Sequence, residues 1–287
     1  MAKYIPDIRN HRWVILATGR VSRPHDKNKQ HRLVKKDGIH ISPDCPFCPG
    51  NEKQTPAEVD IFKKNSDWTM RTFSNKFPIT DIHEVIVHTP DHLKEIPEMT
   101  DKEMQELMIM YQRRLVELAK EGVPIVFRNK GVDAGTSLLH PHSQIIVIPS
   151  QVNLETLSLE PIKNKVSEDE HFVAYCPDFS QYPYEVWIAH KSCENIEAGS
   201  HENDKIVYSN FTAEELLSLG ILLKKTIRAL SKILDGFAYN YYIGPKPPFY
   251  LRIIPRIYIR GGFEIGTGLS TNIVDPLVAS EEIRKHL

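Results

Sequence analysis

Two stretches of the chain repeat the same order of apolar and polar positions. Residues 84–88 (Glu-Val-Ile-Val-His) and 185–189 (Glu-Val-Trp-Ile-Ala) are rich in β-branched and aromatic side chains, which predicts a strand in each. Downstream of each strand, a Thr-x-x-Glu sequence at 100–103 and at 212–215 predicts a capping box. Each copy is therefore expected to place a helix after its strand.

Apolar residues recur at helical spacing after both capping boxes, and Gly122 and Gly236 are suited to end the two helices. Apolar strands at 145–149 and 251–255 then end the copies. Because strand–helix–strand order is common, a chance repeat is the alternative. The helical positions are Met104, Leu107, Met108, Tyr111, Leu115 and Leu118 in the first copy, and Leu216, Leu219, Leu223, Ile227, Leu230 and Leu234 in the second.

The repeat predicts an α+β fold of two units, each an antiparallel sheet with one long helix, over residues 1–155 and 156–287. We set the two return strands in register by laying residues 147–149 (Val-Ile-Pro) on 253–255 (Ile-Ile-Pro). In that register the stretch that matches the histidines of the first copy is 248–251 (Pro-Phe-Tyr-Leu). We therefore expect the first unit to carry histidine chemistry and the second to supply substrate contacts and packing.

Two histidines and a glutamine occupy alternate positions just before and within the first return strand. In extended backbone the side chains of His140, His142 and Gln144 would share one face. Such a face suits a phosphate site, because a neutral imidazole can attack phosphorus and an amide can donate to a phosphoryl oxygen. Glycines in the preceding loop, 130–137, let backbone N–H groups approach an anion. The histidine pair alone could equally be an ordinary strand edge, since the chain has 13 histidines.

A Cys-x-x-Cys pair, Cys45 and Cys48, lies among prolines and a glycine. A tight loop of this kind presents two thiolates to one ion, and a tetrahedral site then needs two more ligands. The remaining cysteines, Cys176 and Cys193, are too far apart to form a second such pair. Structural or redox thiols are the alternative.

Composition limits the classes of partner. The 287 residues carry 36 Lys plus Arg and 37 Asp plus Glu, a net charge of −1, so general nucleic-acid binding is not expected. No apolar run has membrane-spanning length, and residues 1–6 lack the apolar core of a signal sequence. Four cysteines without a disulfide pattern fit metal binding in a reducing compartment. We therefore expect a cytoplasmic protein without nucleic-acid or membrane partners.

Six motifs, taken together and in order, resemble the galactose-1-phosphate uridylyltransferases, the nucleotidyl-transferring branch of the histidine-triad superfamily. The resemblance covers most of the chain and implies two tandem histidine-triad-like units, the second of them degenerate. The motifs are Arg-x-x-Arg-Pro at 20–24, Cys-Pro-Phe-Cys-Pro-Gly-Asn-Glu at 45–52, Phe-Ser-Asn-Lys-Phe-Pro at 73–78, Thr-Pro-Asp-His at 89–92, Asn-Lys-Gly through His-Pro-His-Ser-Gln at 129–144, and Gly-Phe-Glu-Ile-Gly-Thr-Gly at 262–268.

The resemblance implies a structural zinc ion. His92 and His140 would complete the ligand set that Cys45 and Cys48 begin. Four protein ligands leave no open position for water, so the ion would act as a brace. His140 would anchor its strand while His142 acts two residues away.

The resemblance also implies that His142 is the nucleophile and that Gln144 and Ser137 donate hydrogen bonds to the phosphoryl group. It implies nucleotide and phosphate contacts at Arg20, Arg23, Asn75, Asn129 and Gly135, and acceptor contacts at Arg260 and Glu264. A solvated basic turn is the alternative for the two arginines near the N-terminus.

The implied reaction moves a nucleoside monophosphate from a nucleoside diphosphate sugar to a phosphorylated sugar, as in UDP-hexose:hexose-1-phosphate uridylyl transfer. Phe263 and Ser270 stand where the galactose enzymes have a tyrosine and a glutamine, which puts galactose in doubt. The alternative is an adenylyltransferase or nucleotide phosphorylase that uses an ADP-sugar or another adenylyl donor, with phosphate or another oxyanion as acceptor. The resemblance is compatible with a homodimer.

Two other classes of protein compete with transfer. A histidine-triad nucleotide hydrolase carries a third histidine where Gln144 stands, and a glutamine cannot act as an acid toward the leaving group. A zinc-braced binding module without catalysis would not need His142. Gln144 therefore favours transfer over hydrolysis, and trapping of a labelled nucleotide would separate transfer from binding.

Overall fold

The computed structural model describes residues 2–7, 12–23, 32–152, 154, 162–195, 207–244 and 247–287. Its chain divides into two compact units. The first unit contains residues 1–95, 110–128 and 135–155, and the second contains 96–109, 129–134 and 156–287. Pro24, part of the Arg-x-x-Arg-Pro motif, lies outside the described residues.

The first unit is built on an antiparallel sheet with strand order β5-β6-β7-β9-β8. Two small hairpins accompany it. Its central strand, β7, is buried along its whole length, as its run of apolar residues predicts. The strands are β1 (Lys3–Asp7), β2 (Arg12–Leu16), β3 (Val34–Lys36), β4 (Ile39–Ile41), β5 (Glu58–Lys64), β6 (Asp67–Ser74), β7 (His83–Val87), β8 (Val123–Lys130) and β9 (His142–Ile148).

The second unit has an antiparallel sheet with strand order β10-β11-β12-β14-β13 and most of the helices. Helix α1 begins among residues of the second unit and ends among residues of the first. The elements are α1 (Asp101–Leu118), β10 (Lys165–Glu168), β11 (Phe172–Tyr175), β12 (Val186–His190), α2 (Ala213–Ile233), β13 (Tyr239–Ile243), β14 (Tyr250–Pro255), α3 (Gly262–Thr267) and α4 (Pro276–Arg284). In the described parts of the chain, no helix combines the length and apolarity that a bilayer crossing requires.

The α+β prediction is confirmed, and so are both capping boxes. The Thr100 N–H donates to Glu103 Oε2 (2.7 Å) while the Glu103 N–H donates to Thr100 Oγ1 (3.2 Å). Thr212 and Glu215 make the same reciprocal pair at the start of α2. At Gly122 φ is +152°, and an added Cβ would lie 2.5 Å from the Ile148 carbonyl oxygen, so the chain can return toward β8 only with glycine there.

The two sheets repeat one topology, since β6-β7-β9-β8 in the first unit matches β11-β12-β14-β13 in the second. The register predicted between the copies is wrong by three residues. Val85 pairs with Gln144 and the equivalent Val186 pairs with Ile253, so residues 140–144 match 249–253 (Phe-Tyr-Leu-Arg-Ile). The similarity of Val-Ile-Pro and Ile-Ile-Pro does not reflect equivalent positions, because strand pairing, and not the residues at a strand end, sets the register of each strand. The second copy still has no histidine in that stretch.

Candidate active site and metal cluster

Four buried side chains, Cys45, Cys48, His92 and His140, form a compact cluster in the first unit. Their ligand atoms all lie within 4.8 Å of one another. Cys48 Sγ is 3.3 Å from His92 Nδ1 and 3.4 Å from His140 Nδ1, and Cys45 Sγ is 3.8 Å from His140 Nδ1. The structure therefore brings together the two cysteines that spacing predicts and the two histidines that the resemblance implies.

The chain around the cluster orients its ligands. His140 Nε2 donates to the Thr89 carbonyl oxygen (2.8 Å), which leaves the Nδ1 lone pair directed at the thiols. The Ser42 N–H donates to Cys48 Sγ (3.2 Å). The Asn51 amide donates to the carbonyl oxygen of Cys45 (2.9 Å) and so closes the cysteine loop.

The pKa values of the two thiols move in opposite directions. The hydrogen bond from Cys45, together with His140 and His92, lowers the pKa of Cys48, while that same hydrogen bond and burial raise the pKa of Cys45. One thiolate is thus stabilised by its neighbours, and a cation is the natural partner for a second. Two sulfur and two nitrogen donors at this spacing could hold one metal ion.

The cysteine loop is fastened to the sheet by a buried arginine. Arg71 donates to the Pro46 carbonyl oxygen (3.0 Å) and to Thr55 Oγ1 (3.0 Å), and its charge faces Glu58 at 3.2 Å. Its guanidinium also lies over the Phe73 ring, 4.9 Å from the centroid. Loop and strand β6 are therefore held together by directed bonds as well as by apolar packing.

His142 begins strand β9, and its ring orientation is set by the backbone. Nδ1 lies 2.8 Å from the His140 carbonyl oxygen, which can only accept, so Nδ1 carries the proton and Nε2 carries the lone pair. The Phe47 ring stands edge-on to the imidazole at 5.3 Å. The geometry gives Nε2 of His142 the electronic form of a nucleophile.

The Phe47 ring contacts both His140 and His142, with centroids 6.2 Å and 5.3 Å away, and Cys45 and Cys48 belong to one apolar cluster with Val87, the strand partner of His142. His140 itself lies in a bend before β9, with Pro141 between it and the strand. Proline removes a ladder donor and fixes φ, so the backbone turns at this point and sends the His140 ring toward the cysteines.

A second group of predicted residues meets around Gln144. Gln144 Oε1 lies 2.9 Å from His83 Nε2, and Asn75 Nδ2 lies 3.2 Å from the same nitrogen. Arg20 donates to the carbonyl oxygen of Phe77 (2.5 Å), which lies two residues after Asn75. Burial lowers the pKa of Arg20, and the positive charge of Arg23 lowers it further.

The other predicted site residues lie in loops. Gly135 has φ of +82° and open space where a Cβ would be, and Ser137 is half-buried two residues later. In the second unit, Asn129 Oδ1 accepts from the Asn240 amide (2.8 Å). The roles of Gly135, Ser137 and Asn129 in phosphate or nucleotide binding remain predictions.

The predicted acceptor residues lie in the second unit, within the C-terminal segment. Arg260 donates to Gln181 Oε1 (3.2 Å) and to Ser270 Oγ (3.1 Å). Glu264 is buried, accepts from the Tyr258 hydroxyl and from the Gly261 N–H (2.9 Å), and caps α3. The Tyr258 hydrogen bond is the main reason that the pKa of Glu264 falls to about 2.

Two sets of residues near His142 carry no signal in the sequence. His83 contacts Gln144, but no spacing connects it to the His-Pro-His motif. On the other face of β9, Ser143 lies in a buried polar network with His88 and Tyr111. Only strand pairing reveals these neighbours, since Val87 pairs with His142 and so brings His88 beside the motif.

The sequence is similar to one family model and to several characterised proteins. A family model for the N-terminal domain of galactose-1-phosphate uridyl transferase matches residues 79–149. ADP-glucose phosphorylase from Arabidopsis thaliana is 26% identical over 332 aligned positions, which cover 96% of this chain and 90% of that protein. Galactose-1-phosphate uridylyltransferase from Thermotoga maritima is 27% identical over 212 positions, which cover 61% of this chain and 62% of that protein.

Solved structures share the fold. The crystal structure of an ADP-glucose phosphorylase from Arabidopsis thaliana with bound ADP-glucose has a TM-score of 0.73 at 22% identity and covers 99% of both chains. A uridylyltransferase structure has a TM-score of 0.66 at 20% identity and covers 88% of this chain and 97% of its own. The matched segment and the two relatives make this chain similar to the galactose-1-phosphate uridylyltransferases and to ADP-glucose phosphorylase, and the solved structures share its fold.

Proposed function

We propose that this protein transfers the adenylyl group of an ADP-sugar to inorganic phosphate or another oxyanion through a covalent nucleotidyl-His142 intermediate. The observation that carries the choice of donor and acceptor is the nearly full-length similarity to ADP-glucose phosphorylase, which spans 96% of this chain. The similarity to the Thermotoga uridylyltransferase spans 61%. This choice reverses the order of the two functions expected from the sequence alone.

The chemistry is double displacement at phosphorus. Nε2 of His142 attacks the α-phosphorus of the ADP-sugar, the bond from that phosphorus to the bridging oxygen breaks, and sugar 1-phosphate leaves. An oxygen of inorganic phosphate then attacks the same phosphorus and the P–N bond breaks, which gives ADP and restores His142. No proton has to leave the imidazole, because Nδ1–H stays bonded to the His140 carbonyl oxygen in both steps.

The surrounding residues would bind and orient the phosphates. The Gln144 amide would donate to a phosphoryl oxygen, and Ser137 and the backbone near Gly135 are proposed to do the same. Arg20 and Arg23 would offset the charge of the diphosphate. The further roles we propose are nucleoside contacts for Asn75 and Asn129, and acceptor contacts for Arg260 and Glu264.

We further propose that the metal cluster holds one structural zinc ion. Cys45, Cys48, His92 and His140 supply the soft sulfur and nitrogen donors that zinc prefers, and together they make a closed set of four. Bound zinc would contribute to the folding free energy and leave no open position for substrate. The chain's own part in the reaction is then to hold the His140 carbonyl oxygen where it orients His142.

Uridylyl transfer to a sugar 1-phosphate is the second candidate, because the family model and the Thermotoga relative both carry that activity in their names. Phe263 and Ser270 distinguish the two candidates. Each replaces a hydrogen-bonding residue of the galactose enzymes, and each lost bond to a buried sugar hydroxyl costs on the order of 1–3 kcal/mol. We therefore expect galactose 1-phosphate to be a poor acceptor.

Trapping of the intermediate tests the proposal. Protein is incubated without acceptor with ADP-glucose or UDP-glucose labelled in the α-phosphate. We expect an acid-labile, alkali-stable label from ADP-glucose that phosphate releases as ADP. His142→Ala should abolish the label, and His171→Ala, which changes a half-buried histidine of the second unit, should keep it.

Each outcome has a distinct meaning. A labelled His142→Ala variant would refute the assignment of the nucleophile. Label from UDP-glucose alone, released best by galactose 1-phosphate, would replace the first candidate with the second. Steady hydrolysis of the donor by the wild-type protein, with no label and no transfer, would refute transfer itself.

A further inference from the structure

We propose that His83 is a positioning residue that holds the side-chain oxygen of Gln144, so that the amide N–H₂ of Gln144 faces the phosphoryl oxygens of the bound donor. The proposal rests on the proposed transfer reaction and names a residue that acts on it through Gln144. His83 begins strand β7, next to the strand that carries His142 and Gln144.

One contact fixes the tautomer of His83. The Ile79 N–H points at His83 Nδ1 at 3.0 Å. A backbone N–H can only donate, so Nδ1 must be the unprotonated nitrogen of the ring. In a neutral imidazole the proton then lies on Nε2, which makes Nε2 a donor. The opposite tautomer would set two N–H groups against each other at this distance.

The His83 ring is neutral. His83 is 3% exposed, and burial lowers its pKa to about 3, with the charges of Arg20 and His142 acting in the same direction. The ring is therefore neutral throughout the physiological range and cannot serve as an acid. It has one N–H to offer, and that N–H faces Gln144 Oε1 at 2.9 Å.

The bond from His83 fixes which way the Gln144 amide faces. An amide has a donor end and an acceptor end, and a flip exchanges them. With Nε2–H of His83 fixed, a flipped Gln144 would place its N–H₂ against another N–H. The bond to His83 therefore holds Oε1 inward and leaves the N–H₂ to donate elsewhere. A phosphoryl oxygen needs that donor when negative charge accumulates at phosphorus.

Asn75 lies next to this bond. Its Oδ1 accepts from the Phe77 N–H (2.8 Å), which fixes its own amide. Its Nδ2 then lies 3.2 Å from His83 Nε2 as another donor, so this contact is not a hydrogen bond and the acceptor for the Nε2–H of His83 is Gln144 Oε1.

The experiment uses two substitutions that separate the two ring nitrogens. His83→Gln places an amide N–H₂ near the position of Nε2 and can keep the bond to Gln144. His83→Asn places an oxygen near Nδ1, keeps the Ile79 bond and loses the bond to Gln144. We expect the rate of His142 labelling to fall roughly 10-fold to 100-fold in His83→Asn and much less in His83→Gln.

A double-mutant cycle shows whether His83 acts through Gln144. In a Gln144→Ala background, His83→Asn should cause little further loss, because the group that it orients is gone. A structural role would instead give losses that multiply. Nitrogen-15 NMR of the histidine side chains of wild-type protein reports the tautomer independently of activity.

The outcomes separate this proposal from the proposed function. A His83 ring protonated on Nδ1, or charged at pH 7, would overturn the proposal whatever the enzyme does. Wild-type labelling with an unchanged rate in His83→Asn, or with losses that multiply in the cycle, would overturn the positioning role alone. Failure of every donor to label the wild-type protein would refute the proposed function, and the positioning role of His83 with it.

Discussion

Replacing Arg252 with methionine should destabilise the second unit strongly, because the change leaves the carboxylate of Glu185 buried without its countercharge. Arg252 Nε donates to Glu185 Oε1 (2.7 Å), and a terminal nitrogen donates to Oε2 (2.9 Å). Glu185 is 1% exposed and Arg252 is 7% exposed. Methionine retains most of the apolar stem and removes the charge, so the substitution tests the ion pair and not the packing.

The magnitude follows from what remains around Glu185. Breaking a buried ion pair by removing one partner typically costs about 3–5 kcal/mol. Three donors still reach the carboxylate: the N–H groups of Gln181 (3.0 Å) and Tyr182 (3.2 Å) and the indole of Trp187 (2.7 Å). They compensate part of the loss, so we expect a value near the lower end, about 3 kcal/mol.

Urea unfolding followed by tryptophan fluorescence is a suitable assay, since Trp187 contacts Glu185 directly. The midpoint should fall by on the order of 1 M or more. Adding Glu185→Gln to Arg252→Met should recover much of the loss, because the buried charge is then gone. An Arg252→Met protein within about 0.5 kcal/mol of wild type would refute the reasoning.

Three further predictions concern the first unit. Gly122→Ala should lower the free energy of unfolding by about 3 kcal/mol, because it adds backbone strain and a clash with the Ile148 carbonyl oxygen. Gly135→Ala should lower it by about 1 kcal/mol, because Gly135 has positive φ but open space around it. Equal losses of stability in thermal unfolding would contradict this. Cys48→Ser should abolish bound metal in elemental analysis and lower the melting temperature, while Cys193→Ser keeps both; retained metal would remove the cluster's role. Because burial lowers the pKa of His83 to about 3, this residue should reduce the free energy of unfolding by up to about 1.4 kcal/mol for each pH unit below pH 6.5. Between pH 6.5 and pH 5, the free energy of unfolding of His83→Gln should therefore fall less than that of the wild-type protein.

Local signals in the sequence predicted local structure well. The Thr-x-x-Glu pairs capped both long helices because a capping box involves only four consecutive residues. Cys-x-x-Cys predicted half of the metal cluster for the same reason, since two thiols three residues apart can meet in one loop. The other half, His92 and His140, could be predicted only from family resemblance.

What the sequence could not show depends on contacts between distant strands. The partnership of His83 with Gln144 joins residues 61 positions apart, and it exists only because β7 and β9 pair in a particular register. The three-residue error between the two copies has the same origin. Short apolar runs that end in proline look alike, whereas the ladder of backbone hydrogen bonds fixes one pairing.

His140 connects the cluster of Cys45, Cys48, His92 and His140 to His142, the proposed nucleophile, because three parts of this one residue are held in different directions. Its Nδ1 faces the thiols, its Nε2 donates to the Thr89 carbonyl oxygen, and its own carbonyl oxygen accepts from Nδ1 of His142. Pro141 lies between the two histidines and limits how far the backbone can relax. A displacement of the cluster would therefore move the carbonyl oxygen that sets the tautomer of His142. The direction of the His142 lone pair thus depends on the cluster as well as on strand β9.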